Sequence, residues 1–169
     1  MSAITQSVLV AACGNAMAGD DAFGPLVAER MRTMDLADVE IVDLGMKPAG
    51  LLNHLASRQG VIVVDAAEPA ESFPAGSLID VDFFSSHRPQ LRHDAALSSH
   101  GLSIAHELEL ARQLQMLPPR VHLVAAAVSH ADVGSPTSDA MLSLVQPAAD
   151  RARQLACEWL AQSGKSCHA

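Results

Sequence analysis

The first crossover of the chain, residues 8–30, restricts the fold more than any other stretch of the sequence. An apolar run ends at a glycine turn that contains Asn15, and a short loop then leads to the adjacent acids Asp20 and Asp21. An amphipathic segment with apolar residues at helical spacing follows, so this order predicts a buried strand, a turn and a helix. Ligands of open parallel sheets bind beyond the carboxyl ends of the strands, and the crossover places all three polar side chains there.

Four later segments have strand patterns. Residues 39–44 and 121–128 are short apolar runs, and residues 76–83 alternate in a way that predicts an edge strand, parallel or antiparallel. Residues 61–64 are continuously apolar, which is typical of a central parallel strand covered on both faces. This strand is predicted to end at Asp65, at the same sheet edge as the acid pair.

Helical patterns cover three segments that lie between and after these strands: residues 48–57, 102–117 and 137–161. In the second of them Leu114 is predicted to face inward, and the third is predicted to be interrupted near Pro147. Strands that alternate with helices predict one α/β domain over residues 1–169, with a mostly parallel sheet and helices on both faces. We expect residues 1–6 and 163–169 to fray.

The charge balance limits the kinds of partner. The chain has 11 basic and 19 acidic residues, which gives a net charge of −8. Nucleic acids and anionic membranes attract basic faces, so this balance argues against both and is compatible with a cation or a basic protein partner. A leader segment and a bilayer-spanning run are not found, and we expect a cytoplasmic protein. Cys13, Cys157 and Cys167 are odd in number and widely spaced, which does not predict a disulfide framework.

Carboxylates and one histidine form the candidate site. An aspartate near a helix start caps free N–H groups, so one of Asp20 and Asp21 is expected to cap, which leaves the other for a cation. Asp65 converges with Asp21 at one crevice in this topology. His100 lies between a loop and a helix, where its side chain can face the crevice. Two carboxylates and one imidazole suit a divalent transition metal with open positions.

Several familiar catalytic motifs are missing from the sequence. It contains no H-E-x-x-H, no P-loop, no G-x-G-x-x-G and no G-x-S-x-G. Cys13 stands at a strand end, but a small buried core cysteine is a simpler interpretation than a thiol nucleophile.

The ordered motifs resemble the endopeptidases that mature the large subunit of nickel–iron hydrogenases. That family opens with a strand, a Gly-x-Gly-Asn-like turn and an acid pair before a glycine, which corresponds here to ACGNAMAGDDAFG at residues 12–24. A strand that ends in aspartate matches VVDA at residues 63–66, and a Ser-x-His-like turn that opens a helix matches SSHGL at residues 98–102. The resemblance covers roughly residues 8–160 of the chain.

The resemblance implies a fold and a set of metal contacts. The fold would be a three-layer αβα arrangement of the phosphorylase/hydrolase-like kind, with a twisted, mostly parallel sheet of about five strands. Asp21, Asp65 and His100 would correspond to the metal-contacting residues of the family. The metal would be nickel carried by the substrate, with another divalent ion in its place in the isolated protein.

The resemblance also implies a reaction and a partner. One peptide bond of the hydrogenase large-subunit precursor would be cleaved, which removes its C-terminal extension. For the mechanism of this expected aspartic-type endopeptidase, we hypothesise that Asp20 or Asp21 activates water as general base, or that the metal polarises the scissile carbonyl. Asn15, Asp43 and His93 are secondary site candidates. The precursor is the expected partner, alongside other maturation factors.

Two departures from the family pattern keep other functions open. Many members carry a threonine in the loop after the second strand, where this chain has Asp43-Leu44-Gly45-Met46, and a glycine after the acid pair, where it has Ala22. One alternative is a non-catalytic nickel-binding accessory protein that binds the precursor and leaves its length unchanged. The other is a metal-dependent hydrolase of small molecules that holds its own metal.

Overall fold

A five-stranded sheet with the order β2-β1-β3-β5-β4 forms the centre of the protein. The computed structural model describes residues 7–85, 104–128 and 131–167. The strands are β1 (Val8–Cys13), β2 (Val39–Gly45), β3 (Gly60–Ala67), β4 (Leu78–Asp82) and β5 (Val121–Ala127). The helices are α1 (Phe23–Arg32), α2 (Ile104–Gln113) and α3 (Asp139–Gln162), with two 3₁₀ helices at Gly19–Ala22 and Pro48–His54.

Four strands run parallel, and β4 pairs antiparallel with β5 at one edge of the sheet. Every residue of β1, β3 and β5 is buried, because helices cover both faces of the sheet. One apolar cluster contains Phe23 and Val27 of α1 and the buried alanines of α3. The other contains Leu51 of the second 3₁₀ helix and Leu108 of α2. The predicted α/β fold is therefore confirmed.

Three predicted boundaries were wrong. The strand β3 continues two residues past Asp65, which pairs with Ala125 inside the sheet. The helix α2 ends at Gln113, and Gln115 adopts a left-handed φ of 56°, so Leu114 turns out to solvent and is 54% exposed. The helix α3 runs unbroken through Pro147, because the buried Ala148 and Ala149 beside it pack against the sheet and offset the lost hydrogen bond.

The C-terminal tail is packed and covalently tied as far as Cys167, contrary to the expected fraying. A disulfide joins Cys157 of α3 to Cys167, which is buried. The chain reverses at Gly164, whose φ is 75°, so ten residues of separation are enough to bring the two sulfurs together. The Ala37 N–H donates to the Cys167 carbonyl at 3.2 Å, which docks the tail on the α1–β2 connection. None of the helices in the described parts of the chain is long and apolar enough to cross a membrane.

Removal of the disulfide should lower the stability of the fold. A crosslink between residues ten apart contributes roughly 2–3 kcal/mol, mainly by restricting the unfolded chain. We expect the double variant Cys157→Ala, Cys167→Ala to lose about this much free energy of unfolding in urea titrations. Dithiothreitol should destabilise the parent protein to the same extent and leave the variant unchanged. Equal urea midpoints for the two proteins would contradict the pairing.

The carboxylate of Asp80 links the edge strand β4 to the rest of the fold. It accepts a short hydrogen bond from Nε2 of His122 on β5 and a bond from Nε of Arg151 on α3 at 2.7 Å. Burial raises the pKa of Asp80, but the bonds from His122 and Arg151 outweigh this and leave the pKa below its ordinary value. A lowered folded-state pKa means that the ionised carboxylate stabilises the folded protein.

We expect this contribution to depend on pH. It should be present at neutral pH and be lost as the pH falls through the lowered pKa of Asp80. The side chain is 38% exposed, so solvent screens the pair and Asp80→Asn should cost roughly 1 kcal/mol or less at pH 7. Thermal melts of parent and variant should converge only as the pH falls below the lowered pKa of Asp80. The exposed Glu71→Gln is the control, and a difference between Asp80→Asn and the parent that stays constant as the pH falls would refute the assignment.

Candidate active site

Four aspartates gather around the carboxyl end of β1. They are Asp20, Asp21, Asp43 and Asp65, and the last three lie close enough to Cys13, the last residue of that strand, to act on its thiol. Burial raises the pKa of Cys13 far above the ordinary value, and the negative charges of Asp65, Asp43 and Asp21 raise it further. The thiol therefore stays protonated, and Cys13 is a core residue and not a nucleophile, as the sequence suggested.

Two glycines allow the turn after β1 to pack tightly on the segment that carries the acid pair. Gly14 has a φ of 135°, and a Cβ there would lie 2.2 Å from the Asp21 carbonyl oxygen. A Cβ on Gly24 would lie 2.0 Å from the Cys13 carbonyl oxygen. Side chains at either position would push the acid pair away from the end of the strand. The glycines in this motif are therefore required by close backbone contact.

Asp21 points into the turn that follows β1. Its Oδ2 accepts the backbone N–H of Asn15 at 2.9 Å, and its side chain is buried. The Asn15 side chain in turn accepts the N–H of Met17 at 2.9 Å, so it shapes the loop from within. Of these two predicted site residues, Asp21 is the buried carboxylate held in the turn, and Asn15 is the residue that orients the turn around it.

Asp20 has a different contact. Its Oδ1 accepts the backbone N–H of Ser138 at 2.7 Å, and its Oδ2 accepts the Ser138 hydroxyl at 3.0 Å. Ser138 is the N-cap of α3 and accepts the N–H of Met141. Neither the first 3₁₀ helix nor α1 has a side-chain cap, so the prediction that one of Asp20 and Asp21 caps the helix start was wrong. Asp20 instead fastens the start of α3 to the loop after β1.

Asp65 combines deep burial with an unsatisfied oxygen. It is 2% exposed, and its Oδ1 accepts the adjacent Ala66 N–H at 2.8 Å. Its Oδ2 is buried and has no hydrogen-bond partner among the described residues. Burial raises the pKa of Asp65, the bond from Ala66 lowers it in part, and the charge of Asp21 raises it again. Buried oxygens are almost always paired in native proteins, so this one is suited to a ligand that brings positive charge.

Asp43 lies at the exposed end of β2 and supports the same turn. Its Oδ1 accepts the Gly45 N–H at 2.9 Å, and the Gly45 carbonyl accepts the Gly14 N–H at 2.9 Å. Its carboxylate is close enough to raise the pKa of Cys13. The structure thus places Asp43 on the exposed side of the candidate site.

The two histidines predicted for the site, His93 and His100, lie outside the described residues. Within the described ranges, no group of three or more histidine, cysteine, aspartate or glutamate side chains is arranged to hold a metal ion. Asp21 and Asp65 are therefore the part of the predicted ligand set that the structure brings together.

Glu107 is a buried carboxylate that the sequence analysis missed. It lies in the first turn of α2, is 4% exposed, and has an Oε2 without a hydrogen-bond partner in the described part of the chain. Its neighbours on the helix face, Ile104 and Leu108, belong to the same apolar cluster as the sheet face beneath them. Glutamate at a core position of an amphipathic helix was the available signal.

These features define a class of protein: a three-layer α/β fold with buried carboxylates at the carboxyl edge of a mostly parallel sheet. The model of the HycI hydrogenase maturation protease family matches residues 25–159. This chain accordingly belongs to the hydrogenase maturation protease family.

Solved structures share the fold over nearly the whole chain. The hydrogenase maturating endopeptidase HybD from E. coli matches with a TM-score of 0.77 and 23% identity over 96% of this chain and 97% of that one. The [NiFe] hydrogenase maturation protease HybD from Thermococcus kodakarensis matches with a TM-score of 0.72 and 20% identity over 89% and 99%. A candidate hydrogenase maturation protease of Methanocaldococcus jannaschii is 38% identical over 66 residues, which span 37% of this chain and 43% of that protein.

Replacement of Asp20 should act on stability, because both oxygens bond to Ser138. We expect Asp20→Ala to lower the free energy of unfolding by roughly 1–3 kcal/mol, the usual cost of leaving buried donors unpaired. Asp20→Asn, which keeps one acceptor oxygen, should lose less. Urea titration measures both. The matched control is Asp132→Ala, which removes an exposed aspartate in the β5–α3 loop. An equal loss of unfolding free energy in this control would contradict the stabilising role of the bonds between Asp20 and Ser138.

Proposed function

We propose that this chain is an endopeptidase that removes the C-terminal extension of a nickel–iron hydrogenase large-subunit precursor after nickel insertion. The observation that carries the proposal is the buried Asp65, whose Oδ2 has no partner in the described residues and which lies beside Asp21. A protein of this family with an unsatisfied carboxylate at the carboxyl edge of its sheet is suited to substrates that arrive with a metal ion. The requirement for nickel and the identity of the hydrogenase are parts of this proposal.

Nickel in the precursor would be recognised by Asp21 and Asp65, with His100 as the third ligand. A divalent ion would offset the burial and the repulsion between the two carboxylates that raise the pKa of Asp65. Binding of a metal-loaded precursor would therefore be favoured over binding of a metal-free one. This difference would make cleavage a checkpoint for metal insertion.

Cleavage requires an activated water at the scissile carbonyl. Asp20 is poorly placed as the base, because both its oxygens accept hydrogen bonds from Ser138. Asp21 therefore carries the general-base role in this proposal, or the nickel polarises the carbonyl directly. Positioning of the precursor segment across the crevice would supply much of the rate.

The Asp65→Asn variant separates function from stability. The raised pKa of Asp65 means that the ionised side chain destabilises the folded protein at neutral pH, so the neutral amide should melt at the same or a higher temperature. Cleavage of nickel-loaded precursor should fall by about 100-fold or more, because an interaction with the reacting segment is lost. Asp21→Asn should also lose cleavage. Intact mass of the precursor over time gives the rates.

The control is Asp150→Asn, which changes a half-exposed aspartate on α3 and should cleave at the parent rate. A metal-free precursor is run in parallel. Cleavage of both precursors would support the peptidase activity and contradict its dependence on nickel. A stable complex with the nickel-loaded precursor, without any change in its mass, would support the non-catalytic accessory protein instead.

A further inference from the structure

Three large apolar side chains stand exposed on the loops around the candidate site. Met17, Met46 and Val133 are 71%, 51% and 79% exposed, and they lie on the loops that follow β1, β2 and β5. Single exposed apolar residues are common on protein surfaces and need no explanation. These three share one edge of the sheet, and we call them the apolar rim.

Backbone hydrogen bonds join the three loops that carry the apolar rim. The Gly14 N–H donates to the Gly45 carbonyl at 2.9 Å, beside Met46. The Gly134 N–H, beside Val133, donates to the Met17 carbonyl at 2.8 Å. The backbone beside each rim side chain is therefore held by hydrogen bonds to a neighbouring loop, which lowers the ordering cost of binding at these three positions.

The same loops hold the candidate catalytic carboxylate. Asp21 accepts the N–H of Asn15, and Asn15 accepts the N–H of Met17 through its side chain. Met17 of the apolar rim thus lies within a few residues of Asp21, the group assigned to water activation. Because β1 lies between β2 and β5 in the sheet, a chain that crosses this edge would meet apolar side chains on both sides of Asp21.

Charge at this edge restricts the chemistry of the occupant. Among described residues of the loops after β1, β2, β3 and β5, Lys47 is the single lysine or arginine. Acidic side chains at this edge include Asp21, Asp43, Asp65, Glu68 and Asp132. The described arginines lie on the helices or at the opposite edge of the sheet. The acidic side chains among these described residues would repel an acidic segment and attract a cationic one, and they would not oppose a neutral one.

We infer that the apolar rim seats apolar side chains of the precursor's C-terminal segment on either side of the bond to be cleaved, and that this segment lacks acidic residues there. The inference rests on the proposed function and assigns its substrate contacts. Methionine adapts its shape to varied partners, so the rim selects for apolar character more than for one sequence. Met17, Met46 and Val133 are thereby specificity-determining residues.

A binding experiment tests the rim independently of catalysis. The triple variant Met17→Gln, Met46→Gln, Val133→Thr is made in the inactive Asp65→Asn background, with that background as the reference. The probe is a fluorescent peptide that covers the precursor's C-terminal extension and the residues before it. We expect the triple variant to bind it at least about tenfold more weakly, since Kd changes tenfold for each 1.4 kcal/mol. A peptide with its apolar residues replaced by serine should bind both proteins equally weakly.

The matched control is Phe84→Gln, Leu114→Gln, which removes two exposed apolar side chains outside the three rim loops. It should bind the peptide as the reference does. In the active protein, the triple variant should raise KM for nickel-loaded precursor more than it lowers kcat. Unchanged peptide affinity in the triple variant, or an equal loss in the control, would overturn the inference. A parent protein that never cleaves the precursor would refute the proposed function, while peptide binding would still decide the role of the rim.

Discussion

The close packing of the turn after β1 on the first 3₁₀ helix is the contact on which the rest of the site depends. Gly14 and Gly24 let two backbone segments meet at distances that no side chain would allow. This contact fixes the backbone of Asp20 and Asp21 at the end of the central strand. With the backbone fixed, the two adjacent side chains diverge, one toward α3 and the other into the turn.

The divergence of Asp20 and Asp21 reduces the repulsion between their carboxylates. Carboxylates that crowd one crevice repel each other, and burial makes each charge more costly. Asp20 is compensated by two hydrogen bonds from Ser138, and Asp21 by the N–H of Asn15. Asp65 receives one bond from its own neighbour and keeps a second oxygen without a partner in the described chain. The uncompensated group is a cost to stability that a positively charged ligand would relieve, which is a frequent arrangement in functional sites.

The same contacts connect the site to the surface around it. The bond from Ser138 to Asp20 fastens the start of α3, and the bond from Gly134 to Met17 fastens the loop that precedes it. Backbone hydrogen bonds consequently join the described parts of the loops after β1, β2 and β5 at this edge of the sheet. A buried carboxylate and an exposed methionine in these loops are positioned by a common backbone, which suits the recognition of a segment that crosses the edge.

Sequence alone determined the architecture because hydrophobic periodicity and chain order are local properties. Apolar runs separated by helical patterns were sufficient to predict the parallel sheet and the gathering of Asp21 and Asp65 at one edge. They also predicted the edge strand but left its direction open, and the structure shows that it is antiparallel. Tertiary structure decided what the local pattern does not contain. The partner of Asp20 lies 118 residues away, the passage of α3 through Pro147 depends on packing against the sheet, and Cys167 meets Cys157 because the tail reverses at Gly164. Three aspartates of identical chemistry thus acquire different roles from what surrounds them: Asp20 fastens the start of α3, Asp21 accepts an N–H of the turn after β1, and Asp65 keeps one oxygen without a partner among the described residues.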